Sequence, residues 1–207
     1  MKKYKTEQER FWAGQFGDEY IKRNDNEAII ASNIAMFSKI LDGIKNVESV
    51  IEFGANIGLN LIAVKSLLPN TEISAIEINQ KAVLELQQLS EKITIYHKSI
   101  LDFIPEYKRD FVLIKGVLIH LDPNCLQDVY DKLYQTSNRY ICIAEYYNPV
   151  PVEISYRGHE GKLFKRDYAG EMLEKFKDLS LIKYGFAYHR DPSFPQDDLT
   201  WFLFEKK

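Results

Sequence analysis

Val50-Ile51-Glu52-Phe53-Gly54-Ala55-Asn56-Ile57-Gly58 is the stretch whose reading decides the fold. A short apolar run ends at a glycine turn, and GLNLIAVKSLL (58–68) continues as a helix that stops at Pro69. Strand, glycine turn and helix in that order open a β-α-β unit. Working toward the carboxyl end, the same rhythm repeats. EISAIEI (72–78) predicts a second strand, and Asn79 opens the helix QKAVLELQQLS (80–90). KITIYH (92–97) and FVLIK (111–115) predict the third and fourth strands. Asp122 and Pro123 are an N-cap and N1 pair that opens a helix to about Ser137. RYICIAE (139–145) is a fifth strand. Strands alternating with helices imply a parallel sheet covered on both faces, and apolar runs such as FVLI suit strands buried on both sides.

The ends of the chain have a different texture. Upstream, Thr6 and Glu9 have the spacing of a capping box, followed by the aromatic, glycine-punctuated FWAGQFGDEYIKRN (11–24). A second helix is expected from near Asp25, with Ile30, Ile34, Phe37 and Leu41 on one face and Gly43 at its end. Downstream, YYNPVPVEISYRGHEGKLFKRD (146–167) reads as a long decorated connection, and Asp167 as the cap of a helix to about Phe176. LSLIKYGFAYH (179–189) and LTWFLFEKK (199–207) read as two final strands. With no helix between them, they must pair antiparallel. We therefore expect an N-terminal helical lid over 1–45 and a core over 46–207, with a substrate-facing insertion at about 146–166.

Composition sets the outer limits. The 207 residues suit one domain with a modest lid, and 45% hydrophobic with 28% charged residues is ordinary for a globular protein. A net charge of -3 argues against a non-specific nucleic-acid binder. Cys125 and Cys142 have no metal-ligand or disulfide-framework spacing, and no metal site is expected. The N-terminus has no apolar signal region, and no apolar run approaches ~18 residues, so a cytoplasmic protein without membrane partners is the expectation. The sequence does not fix an oligomeric state.

The turn after the first strand lies where open α/β sheets bind ligands. A dinucleotide site needs Gly-x-Gly-x-x-Gly; counted from Gly54, the second and third positions are Asn56 and Leu59, and both fail. The pattern of Glu52, Gly54 and Gly58 instead resembles motif I of the class I S-adenosylmethionine-dependent methyltransferases, with Asn56 in place of the middle glycine. The outline of a five-strand parallel start followed by a terminal hairpin resembles that family too. The resemblance implies a Rossmann-like, seven-stranded, mostly parallel sheet with a C-terminal antiparallel hairpin, and S-adenosyl-L-methionine as cofactor. It also places Gly54, Ala55, Asn56 and Gly58 around the cofactor, with Glu52 near its methionine ammonium. Glu77, ending the second strand, would accept the ribose hydroxyls, and Ile78 would cover the adenine. Ser99 and Ile100 would flank that ring. Lys115, Gly116 and Val117 would pass beside the methionine portion.

A closer resemblance joins residues 11–24 and 52–58 to Tyr146-Tyr147-Asn148-Pro149. Together these are similar to the pseudaminic acid biosynthesis-associated methylases, a family associated with bacterial surface or flagellar sugar biosynthesis. This resemblance implies that Trp12, Tyr20 and Arg23 form a lid over the cofactor, with Arg23 on its carboxylate. Within 157–166, Arg157, Lys162, Lys165 and Arg166 face one acid, Glu160, which suits a small anionic acceptor such as a nonulosonic acid or a nucleotide-activated sugar. Tyr146, Tyr147, Asn148, Tyr156 and Arg190 are further candidates for holding it. A hydroxyl acceptor calls for a general base, for which His120 comes first, followed by Glu145 and His159. The rival readings are a methyltransferase for another metabolite, RNA or protein, and a non-catalytic cofactor-binding interaction protein.

Overall fold

The structure is a computed structural model that describes residues 4–23, 27–89 and 92–207. Each unit forms where its pattern predicts. β1 (Ser49–Phe53), β2 (Glu72–Glu77), β3 (Ile93–His97), β4 (Arg109–Lys115) and β5 (Ser137–Glu145) run parallel. They alternate with α4 (Leu59–Leu67), α5 (Gln80–Leu89) and α6 (Leu126–Thr136). A short 3-10 turn, Pro123–Cys125, leads into α6, and the Asp122 side chain caps it through the Asn124 N–H. α7 (Tyr168–Lys175) opens on Asp167, whose carboxylate accepts from the Gly170 N–H. β8 (Leu179–Ala187) and β9 (Leu199–Lys206) form the expected terminal hairpin.

The seven-stranded sheet has the order β3-β2-β1-β4-β5-β9-β8, with β9 antiparallel to β5. The chain builds outward from β1 to β3 and then returns to place β4 on the other side of β1. That reversal leaves a crevice above the carboxyl ends of β1 and β4. Side chains alternate between two cores, as strand geometry requires. Ile51, Phe53, Val112, Ile114, Ile141 and Ile143 pack under α6 and α7. Val50, Phe111, Leu113 and Cys142 pack under α4 and the helix α3 (Glu27–Leu41). The face carrying Ile34, Phe37 and Leu41 thus meets the sheet. The start foreseen near Asp25 lies outside the described residues.

Residues 146–167 depart from the expectation of an irregular connection. They hold a two-stranded antiparallel hairpin, β6 (Val152–Tyr156) and β7 (His159–Lys165). Its turn is Arg157-Gly158, with φ of 52° and 82°. Two successive positive φ values match the twist of a tight hairpin. The alternation in Val152, Ile154 and Tyr156 was a strand signal, but prolines on one side and an arginine in the turn hid it.

The N-terminal cover also has more parts than expected. The capping box of Thr6 and Glu9 opens α1 (Glu7–Ala13), Gly14 ends it, and α2 (Gln15–Arg23) follows. Gly17 lies so close to α1 that a Cβ there would come within 1.9 Å of the Trp12 carbonyl oxygen and 2.8 Å of Asn79 Nδ2. Asn79 in turn donates to Asp18 Oδ1 at 2.9 Å, and Lys81 pairs with Asp18 at 2.7 Å. Gly17→Ala should therefore push α2 off the body at a cost of about 1–3 kcal/mol. A red-shifted Trp12 emission and faster amide exchange in α2 are the expected signs; unchanged exchange would show that α2 is not seated through Gly17.

Candidate active site

A cavity of about 440 Å³ opens above β1 and β4, under α1 and α2. Gly54, Ala55 and Asn56 form its floor. Gly54 and Asn56 have φ of 75° and 48°, so the loop turns back on itself directly after β1. The loop is held from below by backbone bonds of Gly54 and Ala55 to the Ile76 carbonyl, at 2.8 and 3.1 Å. It is held from the side by Glu77. The Glu77 carboxylate accepts the N–H groups of Asn56 (2.7 Å), Ile78 (2.8 Å) and Asn79 (2.7 Å). Burial pushes its pKa up, and these three donors oppose the shift. Three bonds leave acceptor capacity on the two oxygens, at the cavity wall, for a pair of hydroxyls.

Ile78, Ser99 and Ile100 line the same end. Ser99 Oγ donates to Glu9 Oε1 and accepts the Leu101 N–H at 3.0 Å, so the lid is fastened to the turn after β3. Gly116 and Val117 line the middle, beside Gly54, where a Cβ on Gly54 would meet Val117 Cγ2 at 2.6 Å. Lys115 enters from the end of β4, and Trp12, Tyr20 and Arg23 cover the top. Arg23 lies over the Phe16 and Tyr20 rings at 5.1 and 5.8 Å, a cation–π arrangement that holds its guanidinium at the rim.

His120 lies in the cavity wall, between the rings of Trp12 (4.6 Å) and Tyr156 (4.8 Å). Its Nδ1 is 2.6 Å from the Lys162 carbonyl oxygen. A carbonyl only accepts, so Nδ1 carries the hydrogen and Nε2 keeps its lone pair. Burial pulls the pKa down to about 4, so the ring is neutral at neutral pH. Tyr146, Tyr156 and Arg157 complete that side.

Several residues singled out in the sequence lie elsewhere. Glu145 is 2% exposed and points beneath the turn after β4, where Oε1 accepts the Val117 and Leu118 N–H groups, both at 2.9 Å. It shapes the wall and does not reach the cavity as a base. His159 is on the outer hairpin, against the Phe11 and Phe16 rings at 5.0 and 5.6 Å. Lys162 is 4% exposed and pairs with Glu7 at 2.6 Å, so it clasps α1 to β7 and is not free for an anion. Gly58 starts α4 with φ 84°, and a Cβ there would strike Leu86 and Leu89, each at 2.7 Å; its role is close helix packing. Tyr147 packs on Phe202, Asn148 bonds the Val150 carbonyl, and Arg190 is exposed outside the cavity. Glu52 is fully buried behind the wall, bonded to Asn60 Nδ2 at 2.6 Å, so direct contact with a ligand would need its second oxygen. Conversely, Asn33, Asn60 and Asp197 line the cavity without having been singled out for it.

The architecture has many solved counterparts. A Burkholderia thailandensis 1,6-didemethyltoxoflavin-N1-methyltransferase, with bound 1,6-didemethyltoxoflavin and S-adenosylhomocysteine, superposes with TM-score 0.70 and 11% identity over 96% of this chain and 87% of that one. The magnesium protoporphyrin IX methyltransferase from Synechocystis PCC 6803, with bound S-adenosylmethionine, gives TM-score 0.67 and 12% identity over 98% of each chain. A plantazolicin methyltransferase in complex with S-adenosylhomocysteine gives 0.63 and 15%, over 97% of this chain and 94% of that one. No protein-family model and no curated protein sequence matches the chain. The fold is that of the class I methyltransferases.

The state of His120 has a measurable consequence. A histidine in the unfolded chain titrates near 6.5, and His120 in the folded chain near 4. Between those values the unfolded chain binds the extra proton, so the contribution is complete above 6.5 and is lost as pH falls toward 4. It amounts to about 3 kcal/mol. Glu52 and Glu145, raised by burial to about 8 and about 7, act in the opposite sense, so the comparison must be with a variant. The stability of the protein relative to His120→Asn should shrink by about that amount between pH 6.5 and 4 in urea titrations. A pH-independent difference would mean that His120 is not buried as a neutral ring.

Proposed function

We propose that the protein is an S-adenosylmethionine-dependent methyltransferase acting on a small acceptor. The observation that carries this reading is the Glu77 carboxylate, held at the cavity wall beside the Gly54 turn of a class I methyltransferase fold. An acidic side chain there suits ribose hydroxyls, and the turn from Gly54, with Asn56 and Leu59 at the second and third glycine positions, lacks the pyrophosphate loop that a dinucleotide fold would add. Ile78, Ser99 and Ile100 supply a surface for the adenine, and Gly54, Gly116 and Val117 a narrow passage for the methionine chain.

The bound cofactor would supply a methyl group made electrophilic by its sulfonium. What the chain must provide is alignment, exclusion of water and a place for the acceptor's proton. Trp12 and Tyr20 cover the cavity and shut out solvent. Trp12 Nε1–H has no partner among the described residues, and it belongs to the ring packed on His120. One donor and the free Nε2 of His120 on the same wall suit a hydroxyl, whose oxygen receives the indole N–H while its proton passes to the imidazole. Lys162 fixes the tautomer through its carbonyl, and Glu145 positions the turn that carries the ring. A neutral amine acceptor would need less from His120.

Arg157 and Arg23 at the mouth favour an anionic acceptor. Together with the resemblance in residues 11–24, 52–58 and 146–149, they support a carboxylated sugar of the nonulosonic type, free or nucleotide-activated. Other small acids would satisfy the same two guanidinium groups, and free and activated nonulosonic acids are the acceptors to screen first.

Glu77→Ala should weaken S-adenosylhomocysteine binding by about 1–3 kcal/mol while leaving the chain folded by thermal denaturation. Undiminished affinity would remove Glu77 from the ribose site. His120→Ala should lower kcat with a turned-over acceptor far more than it changes cofactor affinity. A variant with normal kcat would make the ring structural.

A further inference from the structure

β8 is the outer strand of the sheet. β9 pairs with one side of it, and no strand among the described residues pairs with the other. That edge therefore offers unpaired backbone N–H and C=O groups, which soluble proteins blunt with acids, prolines or projecting lysines. Residues 179–188, LSLIKYGFAY, contain no acid, no proline and a single lysine. Lys183 is turned away, bonded to the Lys39 and Asp42 carbonyls at the end of α3. The ladder is irregular between Leu181 and Lys183, and regular from Lys183 to Ala187.

The side chains leave an apolar face beside this edge. Leu181, Tyr184 and Phe186 stand opposite Phe204, Phe202 and Thr200 of β9. α7 covers the start of the face, where Leu179 is buried with Met172. Beyond it Leu181 is 39% exposed, Tyr184 70% and Phe186 58%. Tyr147 and Tyr188 extend the patch, with rings 6.2 Å from Phe202 and 6.1 Å from Phe186. At roughly 200 Å² for a full aromatic side chain, the four half-open rings and Leu181 expose about 500 Å². A standard interface covers about 800 Å² on each partner, of which about 65% is apolar in homodimers, or about 520 Å². The patch has the area that a second copy would need.

An edge strand that pairs antiparallel with its own copy obeys a two-fold axis. An axis at Gly185 sets Tyr184 opposite Phe186 of the second copy, twice, and Lys183 opposite Ala187. Aromatic rings then meet across the strands, and no like charges face each other. We propose that the chain forms a two-fold dimer in which the β8 strands of two copies pair antiparallel about Gly185 and bury the Tyr184 and Phe186 patch, joining the two sheets into one. This interface stands apart from the cavity, and it does not depend on the cofactor reading.

Sedimentation velocity of the full chain tests it. The wild type should form a species of twice the chain mass at micromolar concentration. Tyr184→Arg and Phe186→Glu, both at exposed positions, should each weaken association at least about 100-fold, because a substitution occurs twice in a two-fold interface. Their circular dichroism should match the wild type's. The double variant should recover much of the association, since the new guanidinium and carboxylate face each other across the axis. Amide exchange in residues 183–187 should slow as the wild type is concentrated, a reading that needs no variant. A wild type that stays monomeric would overturn the dimer, whether or not another protein occupies the patch. So would a dimer that both single variants leave intact. A double variant as weak as the single ones would overturn the pairing about Gly185.

Discussion

The Glu77 carboxylate takes N–H groups from two adjacent loops on one side of the crevice, Asn56 from the loop after β1 and Ile78 and Asn79 from the turn after β2. Hydrogen bonds to a charged acceptor are shorter and stronger than neutral ones. They hold a loop that spends two left-handed conformations, at Gly54 and Asn56, to expose its backbone. They also place the carboxylate at the cavity edge, with capacity left over. Nearly everything that makes the crevice a site depends on this junction. Asn79, one of the three donors, is itself the group that receives the lid through Trp12 and Asp18.

The lid is held by polar contacts spaced around the opening. Lys162 pairs with Glu7, Ser99 with Glu9, and the Gln8 amide with the Gly161 carbonyl at 3.0 Å. The β6-β7 hairpin thus serves as a post to which α1 is fastened, and its inward side brings Tyr156 and Arg157 to the cavity. Between these fastenings lies an aromatic layer, with Trp12 edge-on to Phe16 and Tyr20 at 5.4 and 5.2 Å.

The sheet was legible because each of its strands is bounded by its own local signal, and the caps at Thr6, Asp122 and Asp167 mark three helix starts. The direction of side chains at strand ends was not. Glu145 and Glu52 end or interrupt apolar strands in the same manner as Glu77, and of the three only Glu77 lines the cavity. Which face is inward depends on the helices above, and that is a property of the assembled fold. Lys162 and His159 stand three residues apart on one strand, and both meet α1 because the ladder shifts register between them, where Gly161 has φ of 65°. A sign for Asn33 was available: it precedes Phe37 by four residues, so it belongs to the apolar stripe of α3, and a polar residue there needs a partner. Asn60 bears the same relation to Val64 on α4.

The most direct test is a crystal structure of the chain with S-adenosylhomocysteine. The account predicts the ribose hydroxyls on Glu77, the adenine against Ile78 and Ile100, and the sulfur above Gly54 and Gly116 under a closed α1-α2 lid. A ligand bound elsewhere, or one in this cavity whose ribose leaves Glu77 with its backbone partners alone, would contradict it.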